Sequence, residues 1–107
     1  MLRIGTTVLG VDDVERAIEF WTAALHYRLK GTSPDGQFAI LIPDVGRRGA
    51  ALAVDLSESE VQLHPRVHLD LWADDQQVEV ERLVGLGASR VDWDLYPENP
   101  DFVVLAD

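Results

Sequence analysis

Apolar and polar residues alternate most regularly over 66–73, where the chain runs Arg66-Val67-His68-Leu69-Asp70-Leu71-Trp72-Ala73. Side chains of a strand point alternately to its two faces, so one face of this stretch would be wholly apolar. The other face would hold a cation, an imidazole, a carboxylate and an indole. Apolar walls with a few placed polar groups are typical of ligand sites. The pattern therefore predicts a strand over 66–73 whose ligand-facing residues are Arg66, His68, Asp70 and Trp72.

The first half of the chain predicts the order strand, helix, strand, strand, strand. Asp12 is a suitable helix cap because its carboxylate can accept from free helix N–H groups. Apolar residues at helical spacing follow it,. Pro34-Asp35-Gly36 is a strong turn signal between two β-rich stretches,. The predicted elements are strands at 3–11, 27–33, 37–43 and 50–56 and a helix at about 13–26.

The second half repeats this order at an offset of 62 residues, the spacing between Asp12 and Asp74. The predicted elements are a helix at about 75–86 and strands at 66–73, 89–96 and 102–106. The counterpart of the strand at 50–56 would fall at about 112–118, past Asp107,. Either the second module lacks its last strand or the chain continues further. A missing strand would leave an unpaired sheet edge, which invites pairing with another chain.

Length and composition narrow the classes of function. A chain of 107 residues fits one domain, which we divide into a first module at 1–58, a linker at 59–65 and a second module at 66–107,. The absence of cysteine excludes disulfides and thiolate chemistry,. A net charge of −10 argues against nucleic acid and anionic membranes as partners,. No apolar run is long enough to span a bilayer, so we expect a cytoplasmic protein,.

Three stretches of the chain resemble the glyoxalase/bleomycin-resistance/dioxygenase superfamily, also called the vicinal oxygen chelate proteins, and in particular its glyoxalase-like domains. They are 66–71, 81–91 and 101–107, the first reading Arg66-Val67-His68-Leu69-Asp70-Leu71. The resemblance implies an α+β fold in which two βαβββ modules form a U-shaped cup with the helices outside. By alternation, the cup would be lined by Ile4, Thr6, Val8 and Gly10 on one side and by Arg66, His68, Asp70 and Trp72 on the other. The family's habit of pairing chains also implies a homodimer.

The resemblance further implies positions for a metal. Enzymes of this family hold one divalent metal with ligands from the first and fourth strands of each module. The corresponding positions here are Thr6, His68 and either Val54 or Asp55, and the fourth would lie past Asp107. Threonine is a poor ligand, and a catalytic site usually needs about three protein ligands. A complete metal site is therefore not expected, although His68 with Asp55 stays open as a partial one.

We expect a protein that binds a small apolar or aromatic molecule in the cup, with His68 as the polar contact. The alternative is a lyase, isomerase or dioxygenase whose divalent metal is held by His68, a fourth-strand carboxylate and a ligand beyond Asp107. A third hypothesis is an interaction module that dimerises through its open edge without a ligand. Whether the chain is an enzyme stays open at this point.

Several side chains admit two interpretations. Trp72 can stack on a ligand or cover the end of the core. Arg66 can bind a ligand carboxylate or pair with Asp70, and such exposed pairs contribute little stability. Outside the predicted site, we expect His64 to be exposed in the linker and Trp93 to pack in the core.

Overall fold

The structure is a computed structural model that describes all 107 residues, and it divides into two compact units, Met1–Ser59 and Glu60–Asp107. The first unit contains β1 (Thr6–Val11), α1 (Val14–Leu25), β2 (Tyr27–Thr32), β3 (Phe38–Pro43) and β4 (Ala51–Leu56). The second contains α2 (Gln76–Gly85), β5 (Ser89–Arg90) and β6 (Leu105–Ala106). The chain therefore has the mixed α+β architecture that its sequence predicts. Neither helix has both the length and the apolar character needed to cross a membrane.

The first unit is built on a four-stranded sheet with the order β1-β4-β3-β2. β1 and β4 run parallel, in register from Thr6 opposite Ala51 to Val11 opposite Leu56, whereas the other pairs are antiparallel. Parallel neighbours need a long connection. Here α1, β2 and β3 form that connection. The pairing of β1 with β4 therefore joins the first and last strands of the unit.

Helix α1 begins where a carboxylate satisfies its first free N–H groups. Asp13 has an extended backbone, and its side chain accepts from the backbone N–H of Arg16 at 3.0 Å. The cap is therefore Asp13 and not Asp12, one residue later than the spacing predicts. Asp75 caps α2 in the same way, accepting from the N–H of Val78 at 3.1 Å. The paired aspartates that follow each opening segment thus begin the two helices.

The core of the first unit lies between α1 and one face of the sheet. Alternate side chains of β3 and β4 on that face are at most 4% exposed, namely Ala39, Leu41, Leu52 and Val54. They meet an apolar stripe of α1 that includes Trp21, as the helical spacing predicts. The opposite face, hereafter the distal face, is formed by Thr6, Val8 and Gly10 of β1, Ala51, Ala53 and Asp55 of β4, and Phe38, Ile40 and Ile42 of β3,.

The second unit has a much smaller core, in which only Val80 of α2 and the adjoining Ala88 are buried. The strand predicted over 66–73 does not form, and every residue from 61 to 75 is exposed. In the first unit the opening strand is held by β4 alone. Residues 60–107 contain no strand equivalent to β4, so the backbone of 66–73 has no strand partner within its own unit, and alternation alone cannot make it a strand,.

The strands predicted over 89–96 and 102–106 shorten to two residues each, Ser89–Arg90 and Leu105–Ala106. One further backbone bond, from the N–H of Val91 to the carbonyl of Val104 at 3.1 Å, extends the pairing. Beyond it, the Tyr96 hydroxyl accepts from the N–H of Val104 at 2.7 Å, and the Tyr96 ring lies 5.3 Å from that of Phe102. Side-chain contacts thus replace the rest of the predicted ladder.

A substitution at the end of α1 should stabilise the first unit. His26 ends the helix in the left-handed conformation (φ 55°), which a side chain with a Cβ disfavours and glycine adopts freely,. His26→Gly should therefore raise the free energy of unfolding by about 1 kcal/mol. Thermal unfolding measures it as a higher Tm, and His26→Ala, which keeps the Cβ, is the matched control. Equal effects of the two variants would show that the backbone is not the cause.

Candidate functional site

Strand register places several of the predicted ligand-facing residues of the first unit on the distal face. Val8, Ala53 and Ile40 lie side by side in one row across three strands. Gly10, Asp55 and Phe38 form the next row. The sequence leaves Val54 or Asp55 as the fourth-strand position. The side chain of Val54 is fully buried on the α1 side, so Asp55 is the one that shares a face with Thr6 and Val8.

The distal face is largely apolar but not fully covered within its unit. Phe38, Ile40 and Ile42 are half-buried, and Val8 is 53% exposed. Ala53 is fully buried between larger neighbours, so it forms the floor of this surface. The polar groups among the nine residues of the face are the hydroxyl of Thr6 and the carboxylate of Asp55.

Glycine is required at position 10 because the chain folds back over it. Ser57 donates its N–H to the carbonyl of Val11 at 2.8 Å, directly after β4. A Cβ on Gly10 would lie 2.9 Å from the Cβ of Ser57, closer than carbon atoms tolerate. Ser57 therefore bounds the distal face next to Asp55. A side chain at Gly10 would displace that boundary.

The second unit brings together two of its four predicted site residues. Nε2 of His68 lies 3.4 Å from a carboxylate oxygen of Asp70, as their spacing of two residues predicts. Both side chains are highly exposed, at 73% and 80%. Trp72 is also open to solvent, at 96%, and makes no ring contact, while Arg66 forms no ion pair with Asp70. We call the exposed segment that carries His68, Asp70 and Trp72 the imidazole patch.

A second histidine–aspartate pair was not expected from the sequence. His64, predicted to be simply exposed, donates from Nε2 to Oδ1 of Asp94 at 2.6 Å, and its ring meets Trp93 edge-on at 5.0 Å. This hydrogen bond lowers the pKa of the Asp94 carboxyl, because it favours the ionised form,. Trp93 is half-buried beside His64 and not in an apolar core. Thirty residues separate the pair, so no local pattern signals the contact.

Neither unit by itself holds the ligand set of the metal that the resemblance implies. In neither unit do three His, Asp or Glu side chains come together as a possible metal site. The distal face offers one carboxylate, Asp55, beside the hydroxyl of Thr6. The imidazole patch offers His68 and Asp70 only. A metal centre needs about three protein ligands, more than either surface supplies.

Comparison with models of protein families identifies the family of this chain. A family model described as the glyoxalase-like domain matches residues 6–107. The chain belongs to the glyoxalase-like domain family. The crystal structure of a gene product from Arabidopsis thaliana superposes on this glyoxalase-like chain with a TM-score of 0.57 at 16% sequence identity, over 86% of this chain and 77% of the plant chain. At that identity the likeness shows a shared fold. No curated protein matches the sequence significantly.

The His64–Asp94 contact predicts how this carboxyl titrates. Since the folded pKa of Asp94 lies below its ordinary 3.8, the contact is complete above that value and is lost as the pH falls through the lowered pKa,. His64→Ala should move the Asp94 pKa back towards its ordinary value, as followed by NMR of the carboxyl carbon. Asp35 is the internal control, because Ser33 and Gln37 lower its pKa independently of His64. An unchanged Asp94 titration in the variant would contradict the assignment.

Proposed function

We propose that this glyoxalase-like protein binds a small apolar or aromatic molecule. The observation that supports the proposal most directly is the distal face, a set of apolar side chains that α1 leaves uncovered on the far side of the sheet. Apolar walls with few polar groups suit a small organic ligand better than a charged polymer. The net charge of −10 points the same way, because it disfavours nucleic acid,.

The chemistry of the distal face indicates how such a ligand would lie. Val8 and Ile40 flank the small Ala53 in one row, so a flat apolar group would rest over Ala53 between two larger side chains. Phe38 offers an aromatic ring in the next row, beside Asp55. Thr6 and Asp55 would then supply the polar contacts that orient the molecule.

The imidazole patch, which belongs to the other unit, is the second candidate for ligand contacts. A histidine can donate or accept a hydrogen bond near neutral pH, and Asp70 at 3.4 Å can orient its ring,. Trp72, with an almost fully exposed indole, can stack on an aromatic group,. We propose His68 as the polar contact, with Asp70 and Arg66 near it.

Ligand binding can be tested without metal by a thermal-shift screen of aromatic and apolar compounds, followed by titration of the hits. If the imidazole patch holds the ligand, His68→Ala should remove most of the ligand-induced rise in Tm. If the distal face holds it, Val8→Thr, which replaces one methyl group by a hydroxyl, should weaken binding about fourfold by removing apolar contact. Both variants should leave the Tm of the free protein nearly unchanged, because both side chains are exposed.

Matched substitutions elsewhere control for general effects. His26→Ala removes an exposed imidazole from the end of α1, and Val45→Thr makes the same exchange at a loop residue that is 86% exposed. Neither should change affinity. Wild-type affinity in both His68→Ala and Val8→Thr would reject the two candidate surfaces together, whereas loss in one alone identifies the surface in use.

Metal retention tests the alternative of a metal-dependent enzyme. The chain is exposed in turn to manganese, iron, nickel and zinc, desalted, and assayed for metal per chain. We expect no stoichiometric retention, because His68 and Asp55 do not add up to a site with three protein ligands,. Near-stoichiometric metal that disappears in His68→Ala would contradict this expectation and support the enzyme hypothesis.

A further inference from the structure

The strand β2 adds a positive charge to one side of the distal face. Arg28 lies directly opposite Ile42 in the ladder, and Leu29 lies opposite the buried Leu41. Residues that oppose each other in a ladder share a face of the sheet, so Arg28 belongs to the distal side with Ile42, whereas Leu29 belongs to the side of α1. The distal face, which is apolar across most of β1, β4 and β3, therefore ends in a guanidinium at β2.

A bulge in β2 leaves a second cation on the same side. Alternation carries Lys30, two residues after Arg28, to the distal side,. The register then shifts, and the extra residue brings Gly31 to that side as well, opposite Ile40,. The position that a Cβ would take at Gly31 has no neighbouring atom within 4 Å, so the surface next to Ile40 stays open.

These two cations have no acidic partner. The chain holds 19 acidic residues for nine basic ones, yet neither Arg28 nor Lys30 forms an ion pair, and both are exposed in the complete chain. The carboxylate of the distal face, that of Asp55, lies on β4 opposite Phe38. β4 is two strands away from β2, and neighbouring strands are about 4.8 Å apart,. Apolar surface of β3 therefore separates the carboxylate from the two cations.

We propose that Arg28 and Lys30 select ligands with a carboxylate, so that the molecule held on the distal face is an aromatic or apolar carboxylate. This inference rests on the proposed binding of a small apolar molecule there and adds the chemical class of that molecule. Its apolar part would rest over Ala53, and its carboxylate would meet Arg28 at the β2 side of the face.

The dimensions of the face suit a molecule of this kind. Ala53 lies on β4, so its row is separated from β2 by two strand spacings, or about 10 Å,. The stem of an arginine can lie along apolar surface while its charged head stays in water. The guanidinium of Arg28 can therefore reach inwards over Ile42 and shorten the distance that the ligand has to span.

The donors on this side favour a carboxylate over a phosphate. A guanidinium donates two parallel N–H bonds to one carboxylate. Phosphate sites often add backbone N–H groups from the start of a helix. Helix α1 packs against the opposite face of the sheet, and Asp13 accepts from the N–H of Arg16 in its first turn. Asp55 at the far side of the distal face would also repel a second anionic group, so a ligand with one carboxylate fits best.

Charges on the outer strand of a sheet have a second possible role, because they hinder pairing with a further strand. That role requires charge on β2 and no ligand, and lysine fulfils it as well as arginine. Selection of carboxylates requires in addition that affinity depend on the charge of the ligand and on the guanidinium of Arg28.

A matched pair of probes tests the inference on the full chain. Naphthalene carboxylate and the corresponding carboxamide share one ring system and nearly one shape, but only the first is an anion at neutral pH. Binding is followed by the NMR shifts of the backbone amides of Val8, Ile40 and Ala53, which report on the distal face with either probe. The carboxylate should bind about tenfold more tightly than the carboxamide, because a charge-assisted pair is stronger than a neutral hydrogen bond.

Substitutions assign this preference to the two cations. Arg28→Gln should lower the affinity for the carboxylate about tenfold and leave that for the carboxamide unchanged. Lys30→Gln should give a smaller loss, and Arg28→Lys should keep part of the preference, because it keeps the charge without the planar fork. Arg16→Gln removes the same charge from α1, on the other side of the sheet, and should change neither affinity. All three side chains are exposed, so the Tm of the free protein should change little.

The possible results separate this inference from the proposed function. Equal affinity for the two probes, or a preference that survives Arg28→Gln, would overturn the selection of carboxylates and leave the distal face as a binding surface. Equal losses in Arg16→Gln and Arg28→Gln would overturn it too, because they would report net charge alone. Tighter binding of naphthalene phosphonate would overturn the carboxylate as the ligand class. If neither probe shifts the amides of the distal face, the proposed function fails at that surface and the inference fails with it.

Discussion

Pairing between the first and fourth strands is the constraint on which the rest of the first unit depends. β1 and β4 are parallel neighbours separated by 39 residues, and everything between them must fold as their connection,. The register from Thr6 to Val11 fixes which side chains face α1 and which face away. It therefore sets both the buried core around Leu41 and Val54 and the composition of the distal face. The second unit has no equivalent of β4 within residues 60–107. Its opening segment forms no strand and stays exposed.

The two units also differ in how many apolar side chains they bury. The first unit buries its α1 stripe and the facing side chains of β3 and β4 almost completely, whereas α2 buries Val80 alone. Helices gain most of their stability in proteins by packing an apolar face, so α2 depends more on local contacts. Those contacts are visible in its Asp75 cap and in the ion pair of Arg82 with Glu79 at 2.7 Å. The second unit adds the hydrogen bonds of His64 with Asp94 and of Tyr96 with Val104 to these local contacts.

Local signals made both helices and the strands of the first unit predictable, whereas the strands of the second unit depend on long-range pairing that the sequence does not show. Helical spacing, a capping aspartate and the turn at Pro34 located α1, β2 and β3 to within one or two residues, because each signal acts over a few positions. The alternation in 66–73 is just as regular, but a strand also needs a partner, and the sequence does not show whether one exists. The contact of His64 with Asp94 joins residues 30 apart and has no local signature. The choice between Val54 and Asp55 needed the register of β4 against β1, which spacing alone does not fix.

Thr6, Val8 and Gly10 show how a strand directs its side chains and its backbone groups along perpendicular axes. Their side-chain positions project onto the distal face, while their N–H and C=O groups lie in the plane of the sheet and point away from β4,. The pairing of β1 with β4 instead uses the backbone groups of the residues between them, such as Val11. A change of side chain at Val8 therefore alters the chemistry of the distal face but leaves the pairing that holds the first unit together.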